Sequence, residues 1–268
     1  MPGEDGPPDP RLDPTRSMGV DPDDIEVSRA DAALGSGDPA DFTAADTDPV
    51  ADASVEDLLA TLTDGDGPAR RRAALALADR DPSDPGVYEA LAERVRTDDD
   101  PEVRQFAIET LGELADATNE GATTAVDDAL GDDNPWVRAE AVVALDHLAV
   151  EDRADRLEAA LDDDHHAVRR NAAIALWKGR GADALPALRA LADDESARVR
   201  EWVAELLGRI DHPDAERALV DLRDDDESIV AKTAARALDG SDSAPAASGR
   251  PGSGGTDPRG PGDQPPQL

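Results

Sequence analysis

Cysteine is absent from the 268 residues. Its absence excludes a disulfide framework, a cysteine-based zinc site and a thiol nucleophile. Aromatic residues make up only 2% of the chain, so any core has to be assembled from Ala, Leu and Val. Four histidines, at positions 147, 165, 166 and 212, leave little material for a metal site. No apolar run approaches the roughly 20 residues needed to span a bilayer. The N-terminal MPGEDGPPDP has neither a basic nor an apolar stretch, so no secretory signal is read there. Also missing are a GxGxxG that opens a helix after a strand, a Walker A loop, a GxSxG and an HExxH. Carboxylate pairs abound, but they fall in expected turns, where exposed and unshifted carboxylates make poor general acids. No catalytic residue, cofactor or bound metal is expected.

Positive charge is scarce too. Lys and Arg number 27 against 62 Asp and Glu, for a formal charge of -35, and only two of the bases are lysines, Lys178 and Lys232. Such a chain repels nucleic acid and anionic membranes, so neither is expected as a partner. An acidic excess with lysine avoidance is the pattern of a salt-adapted cytoplasmic protein. At molar salt the Debye length falls to about 3 Å, and like charges on the surface barely repel. In dilute buffer the same charges destabilise the compact state.

Both ends differ from the middle. Residues 1–51 are dense in Pro, Gly and Asp and read as disordered, with one loosely amphipathic stretch over residues 25–34. Residues 240–268 form a Gly/Pro/Ser-rich tail, also read as disordered. The expected folded body is 52–239.

That body is organised by a repeat. GPARRRAALALA from Gly67, PEVRQFAIETLG from Pro101 and PWVRAEAVVALD from Pro135 share one pattern with HAVRRNAAIALW from His166, ARVREWVAELLG from Ala197 and SIVAKTAARALD from Ser228. One slot holds Ala69, Val103, Val137, Val168, Val199 and Val230, at steps of 34, 34, 31, 31 and 31. The next slot holds Arg70, Arg104, Arg138, Arg169 and Arg200, and finally Ala231. Counted from the first slot, apolar residues recur at 0, +4, +5 and +8, which places them on one helical stripe. Pro101 and Pro135 stand at helix starts, where a missing N–H costs nothing. The Asp runs ahead of each copy supply N-caps and favourable charge. A second amphipathic stretch precedes each copy: SVEDLLATL, GVYEALAERVR, TTAVDDAL, RADRLEAAL, ALPALRALA and DAERALVDL. The unit is therefore helix, turn, helix, six times over. A single hairpin cannot bury its own stripe, whereas stacked hairpins bury a continuous seam. The expected fold is an all-α, right-handed α-solenoid of about six helix-turn-helix repeats.

The D-x-x-P-x-V-R-x-x-A-x-x-A-L pattern stands at Asp98–Leu111 and again at Asp132–Leu145. In this the chain resembles the HEAT-repeat superfamily, in particular the short HEAT-like repeats of phycobilisome lyases. The resemblance implies a solenoid and a packing role for the motif residues, but no activity. Two enzyme types share such repeats and stand as the alternative, phycobilin lyase and deoxyhypusine hydroxylase. The second holds two irons through repeated His-Glu pairs, which this chain lacks. Its histidines are followed by Leu148, His166, Ala167 and Pro213.

The arginine column either forms a basic stripe for an anion or acts as a ladder, each guanidinium reaching the acidic turn of a neighbouring repeat. The ladder reading explains Ala231, since no repeat follows it. Phe106 and Trp202 share one slot, three beyond the β-branched position, with Arg72, Glu140, Asn171 and Thr233. These polar occupants put the slot at the edge of the seam, where an aromatic either anchors a partner or covers a gap between repeats. Trp136 sits beside a helix-start proline with the same two readings. Trp177 follows a core leucine and is expected to pack. Arg71, Arg72, Arg170, Lys178, Arg180 and Arg198 concentrate basic charge on the second helices, a bias that suits an acidic protein partner or makes a solvated mixed face. His165 and His166 are expected to cap and to face solvent. The resulting expectation is a cytoplasmic, monomeric, non-catalytic scaffold for an unidentified protein partner, with Phe106, Trp136, Arg170 and Trp202 as candidate contacts. Signalling or taxis adaptors are the analogy for its role.

Overall fold

The computed structural model describes residues 47–80, 85–115, 118–148 and 153–241. The stretch over 25–34 and nearly all of the two terminal segments read as disordered lie outside the described residues. Twelve α-helices follow a 3₁₀ turn at Asp48–Val50, and among the described residues there is no strand. They are α1 (Val55–Asp64), α2 (Gly67–Ala78), α3 (Pro85–Thr97), α4 (Pro101–Leu114), α5 (Glu120–Ala129), α6 (Pro135–His147), α7 (Arg153–Ala160), α8 (His166–Arg180), α9 (Leu185–Ala190), α10 (Ala197–Leu207), α11 (Pro213–Leu222) and α12 (Ser228–Ser241). These form six consecutive hairpins stacked into an α-solenoid.

The even-numbered helices start where the repeat pattern places them, and their entry is enforced locally. Asp66 Oδ1 accepts the Ala69 N–H at 2.9 Å, Asp100 Oδ1 the Glu102 N–H at 2.9 Å, and Asn134 Oδ1 the Trp136 N–H at 2.9 Å. Such caps satisfy donors that the first helical turn leaves free. The first helices are less regular. Asn119 caps α5 through the Ala122 N–H at 3.0 Å, so that helix starts at Glu120, three residues ahead of its apolar pattern. The fifth first helix, α9, keeps only six residues, between 3₁₀ turns at Gly181–Ala184 and Leu191–Asp193. Gly181 closes α8 at φ 55°, a backbone conformation glycine adopts without strain.

The even helices pack on one another in an unbroken column from α2 to α12. In the other layer α1, α3 and α5 pack in sequence and α9 packs on α11, while α7 leans mainly on α8. The spacing is therefore tighter on the even-helix side, which makes that side the inner, concave one. Small residues permit the close approach. A Cβ on Gly112 would lie 3.0 Å from the Ala144 Cβ, and one on Gly208 only 2.6 Å from the Ala237 Cβ. The seam is aliphatic: Val103, Val137, Val168, Val199 and Val230, at the defining slot, are all 0–2% exposed. In α8, flanked on both sides, the eleven residues from Ala167 to Trp177 are all buried, charged ones included. Polar bonds, two of them as follows, stitch neighbouring even helices inside the seam. Thr110 Oγ1 donates to the Ala74 carbonyl at 2.9 Å, and Asn171 Nδ2 to the Ala139 carbonyl at 3.0 Å.

Candidate functional site

The arginines of the repeat sit in the first turn of α2, α4, α6, α8 and α10, directed at the turn inside the next hairpin. Arg70 bonds Asp98 through Nε at 2.8 Å and Nη2 at 2.7 Å. Arg104 engages Asp132 at 2.8 Å through both nitrogens. Arg138 engages Asp163 at 2.8 and 2.9 Å, Arg169 engages Asp194 at 2.7 and 2.8 Å, and Arg200 engages Asp225 at 2.7 and 2.9 Å. The third nitrogen, Nη1, turns back to the chain's preceding turn, as in Arg104 to the Asp98 carbonyl at 2.9 Å and Arg200 to the Asp194 carbonyl at 2.7 Å. One guanidinium thus ties two successive turns. The aspartates are committed further, because each accepts the N–H two residues on, such as Ser196 N to Asp194 at 2.8 Å.

The electrostatics follow from this geometry. The hydrogen bond to its aspartate holds each of the five guanidiniums above its ordinary value, against the opposing effect of burial. Burial alone would raise the Asp98 carboxyl; the Arg70 bond and the Asp100 N–H outweigh it and leave that carboxyl below the usual range. For Asp225 the Arg200 bond is itself the largest influence, and it lowers the carboxyl. The column ends at Ala231 in α12, the last helix described.

The inner face carries the aromatics. Phe106 on α4 and Trp202 on α10 are half-buried against the seam, and so is Trp136 at the start of α6. Trp177 is 8% exposed and packs in the seam, with the Arg209 guanidinium 5.5 Å from its ring centroid. Arg170 departs from the open position expected of it. It is 4% exposed, and its Nε donates to Asn171 Oδ1 at 3.2 Å, because α8 is covered on both sides. Its guanidinium is therefore a buried group, with little left for a partner to touch.

The histidine pair also departs from expectation. His165 does cap, accepting the Ala167 N–H on Nδ1 at 3.4 Å, but neither ring faces freely into solvent. The Trp136 and His165 rings meet edge-on at 4.9 Å, and the His165 and His166 centroids lie 4.5 Å apart. Burial first, then the His165, Arg170 and Arg198 charges, push His166 down to about 4. Burial also lowers His165. The repeat register could have found this cluster, since Trp136 and His165 lie one and three positions ahead of the β-branched slot in successive repeats.

A cleft of about 500 Å³ opens on the other side of the ladder, where α9 is short. Arg189, Arg200, Arg217, Asp193, Asp194 and Asp225 are among its lining residues. Among the described residues, no group of His, Asp or Glu could hold a metal ion, and no helix is long and apolar enough to cross a membrane.

Comparison with known proteins agrees with the geometry. Residues 55–146, 88–177 and 154–239 each match the family described as HEAT repeats. The crystal structure of YibA from Escherichia coli is 19% identical, covers 76% of this chain and 75% of its own, and has a TM-score of 0.58. The CpcE–CpcF complex of phycocyanin lyase from Nostoc sp. PCC7120 is 20% identical over 68% of this chain and 74% of its own, with a TM-score of 0.49. Human deoxyhypusine hydroxylase is 25% identical over 74% and 77%, with a TM-score of 0.38. No curated protein matches the chain. With the matched segments running from residue 55 to residue 239, over the same six hairpins that the arginine ladder ties together, the chain belongs to the HEAT-repeat family.

Proposed function

We propose that this chain is a non-catalytic scaffold that holds a protein partner along its concave, even-helix face. The observation that carries the reading is the placement of Phe106, Trp136 and Trp202, half-buried, on an otherwise continuous helix column. Aromatics in that state offer large contact area at little entropic cost and are enriched among residues that dominate binding. The carboxylates that the fold does bring together, Asp98, Asp132, Asp163, Asp194 and Asp225, are each engaged by an arginine, which favours a structural role over proton transfer. At the finer level we read the chain as a cytoplasmic, monomeric adaptor in a signalling or taxis complex, a task that suits a long shallow face.

Affinity capture tests this. The full chain and its Trp202→Ala variant are used as bait in native lysate at roughly molar salt, where surface repulsion is screened. The expected result is a protein retained by the full chain and depleted about tenfold or more with the variant, while the variant's thermal melt moves little. Retention of the same proteins by both baits, or a melt that collapses along with capture, refutes the assignment.

A further inference from the structure

Basic side chains on the even helices are mostly taken. Arg71 pairs with Asp100 and Glu102, Lys178 with Asp146, Arg180 with Glu158, and Arg236 with Glu205. The five ladder arginines are spent on the turns. In a chain with 62 acids against 27 bases, an arginine without an acid stands out. Besides Arg72 on α2, a helix without aromatics, Arg198 is such a residue. It is half-buried, yet among the described residues its guanidinium makes no hydrogen bond and no ion pair.

The surroundings of Arg198 come from three repeats. It lies in the first turn of α10, and Trp202 follows four residues later on the same helix face. His166 opens α8, which packs directly on α10, and Arg198 holds in α10 the repeat slot that Ala167, next to His166, holds in α8; His166 accordingly feels the Arg198 charge together with that of Arg170. His166 lies against His165, and His165 against Trp136 at the start of α6. Trp136, His166, Arg198 and Trp202 thus make a strip across three consecutive even helices, with aromatic surface on both sides of an unpaired cation.

The acids in the turns beside the strip are engaged by ladder arginines: Asp163 and Asp194 in two-point contacts with Arg138 and Arg169, and the more exposed Asp164 and Glu195 in single contacts with the same two. The chain as a whole carries -35. A basic partner is attracted by that net charge but repelled at the strip. An acidic one is repelled by the net charge, and at the strip meets a cation that lacks a counterion.

We infer that the strip formed by Trp136, His166, Arg198 and Trp202 is the docking site for an acidic polypeptide segment, one carboxylate of which pairs with Arg198 while an apolar side chain packs on Trp202. This rests on the scaffold reading and gives it a partner chemistry. Long-range repulsion between two acidic chains fades once the Debye length falls to about 3 Å at 1 M salt, whereas a contact ion pair against a tryptophan acts within that distance. Binding therefore strengthens as salt is raised from dilute buffer, opposite to the usual behaviour of an ion-pair interface.

The test is selection of a displayed random-peptide library on the full chain in roughly 1 M KCl. Selected peptides are expected to be enriched in Asp and Glu over the input. Their affinity should drop about tenfold on Arg198→Glu and on Trp202→Ala, and less on Arg198→Lys. Circular dichroism melts confirm that the variants stay folded, as the partial exposure of Arg198 predicts. Peptides rich in Lys or Arg, or acidic peptides indifferent to Arg198→Glu, overturn the inference; the scaffold reading survives if Trp202→Ala still weakens them. A library that yields no binder also overturns it and leaves capture of a native protein to judge the scaffold.

Discussion

Removing one rung of the ladder is the sharpest test of how the repeats are joined. Arg169 is the most enclosed rung: its side chain is 8% exposed and that of its partner Asp194 is 5% exposed. Arg169→Ala deletes two bonds to Asp194 of 2.7 and 2.8 Å and two to the Asp163 and Asp164 carbonyls of 2.9 and 3.1 Å. The Asp194 carboxylate then keeps the Ser196 N–H in a site built for a guanidinium. Breaking a buried pair from one side costs about 3–5 kcal/mol, because the remaining charge is left uncompensated. The matched control is Arg217→Ala. Arg217 also contacts an aspartate, Asp214, but is 71% exposed, and exposed pairs contribute about 0–1 kcal/mol. Because a solenoid is held by nearest-neighbour terms, the loss falls on the junction between the fourth and fifth hairpins, and unfolding should split into two steps. Urea titration followed by circular dichroism in molar salt reads both effects. If Arg169→Ala and Arg217→Ala differ by less than about 1 kcal/mol and the transition stays single, the ladder contributes nothing and the seam alone holds the stack.

Two further substitutions probe the packing. Gly208→Ala should cost about 1–3 kcal/mol despite the better helix propensity of alanine, because the new Cβ would sit 2.6 Å from the rigid Ala237 Cβ and force α10 from α12. Gly121→Ala, whose Cβ would meet only Asn119 Oδ1 at 3.6 Å, should instead stabilise by about 0.5–1 kcal/mol in the same thermal melt. Stability should also fall on acidification, for two separable reasons. The His166 value is lowered to about 4, so the unfolded chain binds a proton there below about pH 6.5 while the folded one does not; stability declines from pH 6.5 toward 4, by about 1 kcal/mol once partial exposure is allowed for. Asp225 has a lowered folded value, so its contribution is complete above about pH 4 and is lost as pH falls through that lower value. His165 is lowered too and contributes to the same window, so His166→Gln should reduce the first decline without abolishing it and leave the second, as read by urea midpoints across pH.

The repeat was legible because packing residues and their spacing are the same information. The six even helices begin where Gly67, Pro101, Pro135, His166, Ala197 and Ser228 indicated, since the turn and cap residues that start them are local. The first helices were less so. In ALPALRALA the apolar spacing fits an α-helix and a 3₁₀ turn almost equally, and the outcome there is six α-helical residues between two such turns. Arg170 was misplaced because a charged residue reads as exposed unless its helix is known to be covered on both flanks. Candidate partner-facing residues are harder in principle. A half-buried tryptophan that awaits a ligand and one that covers a gap have the same spacing, and neighbours such as Arg198, one turn ahead of Trp202, bear on the choice only once the structure is in hand.

Charge and ladder make opposite demands on salt, and that opposition can be measured. The chain carries a net charge of -35, and among the described residues many acids, such as Asp99 and Asp164, are exposed, where repulsion is screened over the Debye length. The ladder pairs are shielded from solvent and are screened far less. Raising KCl from about 0.01 M to about 1 M, where the Debye length drops from roughly 30 Å to 3 Å, should therefore stabilise the folded chain. The increment lost in Arg169→Ala should be nearly the same at both ends of the range. In contrast, the small increment from Arg217→Ala should vanish in high salt, as an exposed pair does. Urea midpoints for the three proteins across the titration are sufficient. A stability that is flat in salt would mean that the acidic surface is already compensated locally. A ladder increment that shrinks as the Arg217 increment does would mean that water reaches Arg169 and Asp194, contrary to their burial.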